Sequence, residues 1–420
     1  MKHLLSLALA SAWNRRLTLG LTLAAVALSV AMLLGVERAR SAARASFAQS
    51  ISGTDLVVGA RTSPVQLMLY AVFRIGEATN SMRWKSYEML SADPAVAWTI
   101  PLSLGDSHRG FPVLGTTTAY FEHFRYGSSQ PLRFVSGRAF EEVFDAVLGA
   151  GVAEQLGYKQ GDLIELSHGM AEIGLPGHAD KPFTVTGVLA RTGTPVDRTV
   201  HVSLQAIEAI HLDWQGGTRI PGLSIPAQYV RKFDIAPKTV TAVLIGLKSR
   251  AGVFQLQRMV NTYPDEPLLA VLPGVALEEL WHIVDVVENL LLAVSGMVVI
   301  IGLSGMIAVV WASLNERRRE LAILRSVGAG SRDILTLLAL EGLLVTAGGV
   351  VSGYILLTIL SLLAAPFVQA RYGLGVSPWV GSTGELALIG LVLAVGLIAA
   401  LLPAWRACRL SLADGLTPRL

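Results

Sequence analysis

Histidine is the side chain of this sequence with the widest chemical repertoire, because a neutral imidazole readily ligates a metal ion or passes a proton. Those singled out between the first and second apolar runs described below are His108, His123, His168, His178, His201 and His211. His168 and His178 bracket a Gly-rich segment, and His201 and His211 bracket a strand-like and a helix-like stretch. A metal site in this region is the alternative to weigh. However, no H-x-x-x-H pair is present, and the one cysteine, Cys408, lies near the C-terminus. The histidines are therefore expected at the surface or in packing, with no metal bound. No G-x-x-x-x-G-K-[ST] phosphate loop occurs, so ATP is not expected to bind this chain by that route. Serines and histidines are scattered without a nucleophile elbow, and a membrane-anchored enzyme lacks a convergent catalytic set. One carboxylate, Glu341, stands inside an apolar run, where ionisable groups usually carry function. A lone carboxylate has no group to hand a proton on to, so an ion pair with Arg325 or Arg332 is the expected role.

The most informative spacing is polar and helical at once. Asn315-Glu316-Arg317-Arg318-Arg319-Glu320-Leu321-Ala322-Ile323-Leu324-Arg325-Ser326-Val327-Gly328-Ala329 separates two long apolar runs. Arg317, Arg318, Arg319, Arg325 and Arg332 crowd this short connection, which places it on the cytoplasmic side of a membrane. Leu321, Leu324 and Val327 recur at helical spacing, so the connection is predicted to be a short amphipathic helix. Topology alone would explain the arginines. The added apolar stripe points to a docking element formed by Glu316, Arg317, Arg318, Arg319, Glu320, Leu321, Leu324, Arg325, Val327 and Gly328.

The elements that would position this helix follow from composition. The chain has 420 residues, 52% of them hydrophobic and 15% charged, which is membrane-protein composition. A net charge of +3 gives no reason to expect nucleic acid as a partner. Spans are predicted at 17–36, 287–314, 334–366 and 386–405, the third being long enough to require tilt. Arg15 and Arg16, the loop arginines, and Arg406 and Arg409 put both termini inside. Arg38, Arg40 and Arg44 argue weakly the other way, but long domains translocate largely regardless of charge. Residues 1–16 read as an interfacial helix rather than a signal peptide, because a full span follows at once. The segment 367–385 is an outside loop, and 406–420 a cytoplasmic tail. Gly349 and Gly353 form a G-x-x-x-G pair in the third span, a helix-packing device.

Residues 37–286 are expected outside the membrane. They alternate strand-like runs (55–58, 95–104, 162–166, 183–189, 199–202 and 239–247) with helical patterns (64–75, 204–211, 251–261 and 276–289). An α+β domain is predicted, divided into two subdomains by a seam near Gly216–Pro237. No Gly or Pro falls between Val275 and Gly296, so a stalk helix should continue into the second span.

The loop Glu316–Ala329 resembles the R-x-E-[IL]-[AG]-[IL]-[LM]-[RK]-[AS]-[LIV]-G-A signature of the ABC permease family that includes MacB, FtsX, LolC and LolE. Glu341 and then Gly348, Gly349 and Gly353 follow in the family's order. Leu402-Pro403-Ala404-Trp405-Arg406-Ala407 resembles its P-A-x-x-A-[RK] close, although Leu412 stands where members often carry proline. Gly161-Asp162-Leu163-Ile164 and Phe183-Thr184-Val185-Thr186-Gly187-Val188 are similar to strands of the MacB-type periplasmic core domain, and Arg191 to Leu204 is similar to a subgroup of such permeases. The resemblance implies a dimer, either of two copies or with a homologous permease. An ATPase subunit would dock on the loop helix and transmit motion to the external domain without itself being part of this chain. ATP and Mg would sit on that ATPase. A lipoprotein, peptide or small amphiphile is the implied cargo. Membrane lipid and a periplasmic substrate-carrying or adaptor protein are the other implied partners. FtsX-like signalling, in which the motion activates a periplasmic enzyme, is the alternative.

Overall fold

The computed structural model describes residues 16–168, 180–215, 218–220, 225–316, 323, 325–372 and 382–409. Four helices in it are long and apolar enough to cross a bilayer: α1 (Arg16–Gln49), α2 (Pro273–Glu316), α3 (Ser331–Tyr372) and α4 (Thr383–Arg409). Each outruns the apolar stretch that announces it. In α1 the apolar run ends at Val36, but the residues after it are mostly Ala and Arg, good helix formers that continue the backbone to Gln49. Pro273 opens α2, a position where its missing N–H is no loss, and no helix breaker interrupts the stalk segment that follows. Pro366 lies within α3, which runs on to Tyr372 and so takes up part of the expected 367–385 loop. Ser382 opens α4 by accepting a hydrogen bond from the Glu385 N–H at 3.1 Å, one half of a capping box.

Residues Ala43–Val284 fold as one compact unit, and the membrane helices as another. The first contains an eleven-stranded mixed sheet. Its principal strands are β1 (Leu56–Ala60), β2 (Val96–His108), β3 (Phe111–Thr116), β4 (Phe134–Gly137), β5 (Asp145–Leu148), β6 (Phe183–Leu189), β7 (Val200–Ser203), β8 (Ala242–Leu247) and β9 (Leu268–Val271). They lie in the order β9-β1-β8-β2-β3-β7-β5-β6-β4. β7 runs parallel to β3 and β6 parallel to β5, while the other neighbours are antiparallel. Leu163–Ile164 adds to β6 and Ser167–His168 adds to β2.

Strand periodicity builds the core. Every residue of β1 is buried, so the strand is covered on both faces and reads as an unbroken apolar run. Leu56 and Val58 point to one face, where Val243 and Ile245 join Met82, Leu90, Leu256 and Val260. Val57 points to the other, with Ala242, Leu244, Leu67, Met68, Tyr120 and Phe124. A third cluster lies against the far half of the sheet, where Val113, Leu148, Val185, Val200 and Val202 pack on Val152 and Phe183. Backbone contact is closest at Gly137, whose φ is +73° and where a Cβ would come within 1.9 Å of the Thr186 carbonyl oxygen.

The seam expected near Gly216–Pro237 is not a domain boundary. β8 and β9, which follow it, pair with β1 and β2, which precede it, and so bind both sides into one sheet. Local glycines and prolines say nothing of such long-range pairing.

Candidate functional site

The connection between α2 and α3 is described in part. Arg317, Arg318, Arg319, Glu320, Leu321 and Leu324 fall outside the described residues, and Glu316 is the last residue of α2. Ile323 and Arg325–Ser326 have helical backbone. The Val327 N–H donates to the Ile323 carbonyl at 3.1 Å and the Gly328 N–H to the Arg325 carbonyl at 3.0 Å. Gly328 then adopts φ +103°, a conformation glycine accepts freely, and the turn ends there. Asp333 reaches back to the Gly330 N–H at 2.8 Å and fixes the entry to α3. The result is a capped helical turn that leaves two apolar side chains open, Val327 at 84% exposure and Ile323 at 62%. Arg325 beside them is half-buried. Ile323 was missed by a stripe drawn through 321, 324 and 327, although its spacing of four from Val327 puts the two on one face.

Inside the membrane unit, small residues set how close the helices come. A Cβ on Gly349 would lie 2.5 Å from the Val26 side chain, and one on Gly353 would lie 2.5 Å from the Ala27 carbonyl oxygen, so both glycines abut α1. Ser29 donates to the Ala25 carbonyl at 2.8 Å and, across to α2, to the Val298 carbonyl at 3.2 Å. Glu341 is buried. A polar cluster joins the other ends of these helices. Arg38 of α1 contacts Glu385 of α4 at 3.0 Å with both side chains buried, reaches Ser361 of α3 at 3.4 Å, and lies over the Tyr354 ring, 5.6 Å from its centroid. Arg40 binds Glu37 at 2.9 Å and approaches Glu288 of α2 at 3.6 Å. Arg38 is thus an internal ion-pair partner, where the sequence suggested only a flanking charge.

In the sheet domain, His108 contacts the Glu165 carbonyl at 2.6 Å and the Tyr158 hydroxyl at 3.2 Å. His123 stacks on Trp98, with centroids 5.5 Å apart. His211 faces the Ile207 carbonyl at 2.6 Å. Among the described residues no three His, Cys, Asp or Glu side chains converge as a metal site would require. The His178 ring and the His168 side chain lie outside what is described.

His201 on β7 is fully buried beside Tyr120, with ring centroids 5.1 Å apart. Burial pushes its pKa down to about 3, the Arg74 charge adds to the effect, and the Val147 carbonyl opposes it. A base whose pKa falls on folding stabilises the fold fully above its ordinary value, near 6.5, and loses that contribution as pH drops toward the folded value. His201→Phe should therefore flatten the acid limb of a stability profile, removing about 1.4 kcal/mol per pH unit below 6.5. Urea unfolding between pH 4.5 and 7, followed by tryptophan fluorescence, measures it. An unchanged slope in the variant would show that other groups carry the acid sensitivity.

The sequence matches two family descriptions, a MacB-like periplasmic core domain over residues 18–260 and an FtsX-like permease C-terminal region over residues 292–412. Among solved structures, the chain is similar to the periplasmic region of MacB from Actinobacillus actinomycetemcomitans. That match has 10% identity and a TM-score of 0.32, and covers 55% of this chain and 94% of the other. It is also similar to the extracellular domain of the noncanonic ABC-type transporter YknZ from Gram-positive bacteria, at 12% identity and a TM-score of 0.30, covering 52% of this chain and 98% of the other. No curated protein matches. The first family description covers more than half of the chain and the second takes in most of the remaining membrane helices. With its four apolar helices and a mixed sheet domain between the first and second, the chain belongs to the MacB/FtsX family of ABC transporter permeases, multi-pass proteins of the bacterial inner membrane whose subunits are generally non-catalytic and work with a cytoplasmic ATPase.

Proposed function

We propose that this chain is the permease subunit of an ABC transporter whose ATPase, a separate polypeptide, docks on residues 315–333. The observation that carries the reading is the capped turn between α2 and α3, with Ile323 and Val327 exposed and Arg325 next to them. Paired apolar knobs on a capped turn beside an arginine suit a groove in a soluble partner better than they suit water. Leu321 and Leu324 would extend the knob surface and Arg317 to Arg319 its rim. ATP and Mg would be bound by the ATPase, and both termini and the 315–333 segment would face the cytoplasm. The permease would act with a second copy or a homologous permease. Motion of the ATPase pair would reach the sheet domain through α2, and the domain would handle a lipoprotein, peptide or small amphiphile on the outer side.

The test is copurification of the tagged permease with its ATPase from native membranes. Val327→Asp and Leu324→Asp should each remove the ATPase, cutting the recovered amount at least tenfold, while the permease keeps its melting temperature. Undiminished ATPase in both variants would move the docking site elsewhere.

One feature favours the signalling alternative. A groove of the sheet domain, about 490 Å³, is lined by Thr117, Thr118, Glu142, Gln205 and Arg231 together with Phe140, Val143 and Ile235. Such a mixed wall, with charged groups beside apolar ones, suits a protein segment better than a lipid chain. Recovery of a periplasmic enzyme with the permease, activated by ATP turnover, would decide for that reading.

A further inference from the structure

The exposed turn and α3 are joined by Gly328-Ala329-Gly330. Two glycines in three residues make a pliant joint, because glycine samples both signs of φ. Val327 stands next to the joint, so a swivel there would let a docked partner move the turn without moving the membrane helix. In this structure both glycines are tied. On the turn side, the Gly328 N–H donates to the Arg325 carbonyl at 3.0 Å, with φ at +103°. Among the described residues no atom lies within 4 Å of the position a Cβ would take at Gly328. Glycine therefore serves the backbone conformation there and not a close contact. The Ser326 hydroxyl, donating to the Ile323 carbonyl at 2.8 Å, closes the same turn a second time.

On the α3 side, the Gly330 carbonyl accepts the opening backbone bonds of the helix, from the Asp333 N–H at 3.1 Å and the Ile334 N–H at 3.3 Å. The Gly330 N–H is held in turn by the Asp333 carboxylate at 2.8 Å. This is the half of a capping box that the third helical residue supplies, and Gly330 has no side chain with which to supply the other. The peptide plane between Ala329 and Gly330 is the middle of the joint, and fixing its N–H fixes that plane. The Thr336 hydroxyl donates to the Asp333 carbonyl at 2.9 Å, so the acceptor stands on a turn that is itself closed. Asp333 is exposed, and its side-chain bond acts on the joint and not on a core. A cap can serve any helix, but this one lies across the pliant connection between an exposed pair of apolar side chains and a membrane helix.

We propose that Asp333 is a positioning residue that clamps the exposed turn to α3, so that turn and helix move as one lever under the ATPase. The clamp is a property of this chain, and its use in transmission rests on the docking reading above. The test uses full-length permease in which Cys408, its single cysteine, is changed to Ser. Spin labels on Val327→Cys and Leu344→Cys, both exposed positions, report the joint by pulsed electron-spin distance measurement in the purified permease. Asp333→Ala should at least double the width of the distance distribution. Asp333→Asn keeps an acceptor oxygen and should leave the width as in the parent. Both should melt within about 3 °C of the parent, because the side chain is exposed. A second label pair, Leu290→Cys on α2 and Leu363→Cys on α3, follows the helices in the complex copurified with its ATPase. The change in that distance on adding ATP and vanadate should fall by half or more in Asp333→Ala and persist in Asp333→Asn. The proposal is overturned by an unchanged width in Asp333→Ala, by an equal widening in Asp333→Asn, or by a full ATP-driven change in Asp333→Ala. A lower melting temperature with an unchanged width would reduce Asp333 to an ordinary cap. Absence of any ATPase from the parent complex would sink the docking reading, while the Val327–Leu344 width would still decide the clamp.

Discussion

Glu385→Gln will destabilise the packed membrane helices by about 3–5 kcal/mol, the usual result of removing one member of a buried ion pair. Arg38 would then remain charged among buried groups, with the Ser361 hydroxyl at 3.4 Å and the Tyr354 ring among its remaining neighbours. Neither replaces a carboxylate held at 3.0 Å. Glu37 offers no ready substitute, because it is engaged by Arg40 through two contacts of 2.9 and 3.0 Å. The double variant Arg38→Met with Glu385→Leu should recover most of the loss, since an apolar pair of similar volume avoids the desolvation of two ions. Reversible unfolding in mixed micelles gives both numbers. A single variant within about 0.5 kcal/mol of the wild type, the range of ordinary surface changes, would mean that the pair is not held as described.

An effect of the same size is expected in the sheet domain from Asp213→Ala. Lys181 and Asp213 are both completely buried and bonded to each other. Among the described residues the other carboxylate paired with Lys181 is Asp180, at 3.8 Å and partly exposed. Truncating Asp213 leaves an ammonium in the interior with that distant, partly hydrated partner, at a cost of about 3–5 kcal/mol. Urea unfolding at pH 7 should show the lower midpoint with an unchanged denaturant slope. Lys181→Met combined with Asp213→Leu should return near the wild-type midpoint. If the double variant is as unstable as the single one, packing around Asp213, not the stranded charge, is the cause.

Much of this architecture was legible before any coordinates, and for identifiable reasons. Lipid accepts only backbones that satisfy themselves, so the four apolar runs could hardly be anything but helices. Their ends were harder to read. Apolarity stops at Val36 while helix-forming residues carry α1 on to Gln49, and hydropathy reports only the first of these. The sheet order was not legible, because β1 meets partners nearly two hundred residues away and its own sequence does not name them. Local periodicity marked Val327 as one knob of the connecting turn, and overlooked Ile323 because the stripe was drawn at spacings of three alone. Arg38 looked like one more membrane-flanking charge until Glu385 was found against it, 347 residues along the chain.

The placement of β1 also sets the order of events in biogenesis. Leu56–Ala60 is an interior strand, yet both of its neighbours, β8 and β9, come from residues 242–271. The first half of the domain can gather locally, but β1 has nothing to pair with until those late strands have been made. Closing so long a loop is slow, since its entropy must be met before the contacts repay it. Meanwhile the apolar Leu56-Val57-Val58 segment has both edges unpaired, the condition under which strands associate with the wrong chain. With a single cysteine in the sequence, no intrachain disulfide can hold the halves together during that interval. The newly made domain therefore spends its most vulnerable period waiting for its own C-terminal third, and chaperones and proteases have that interval in which to act on it.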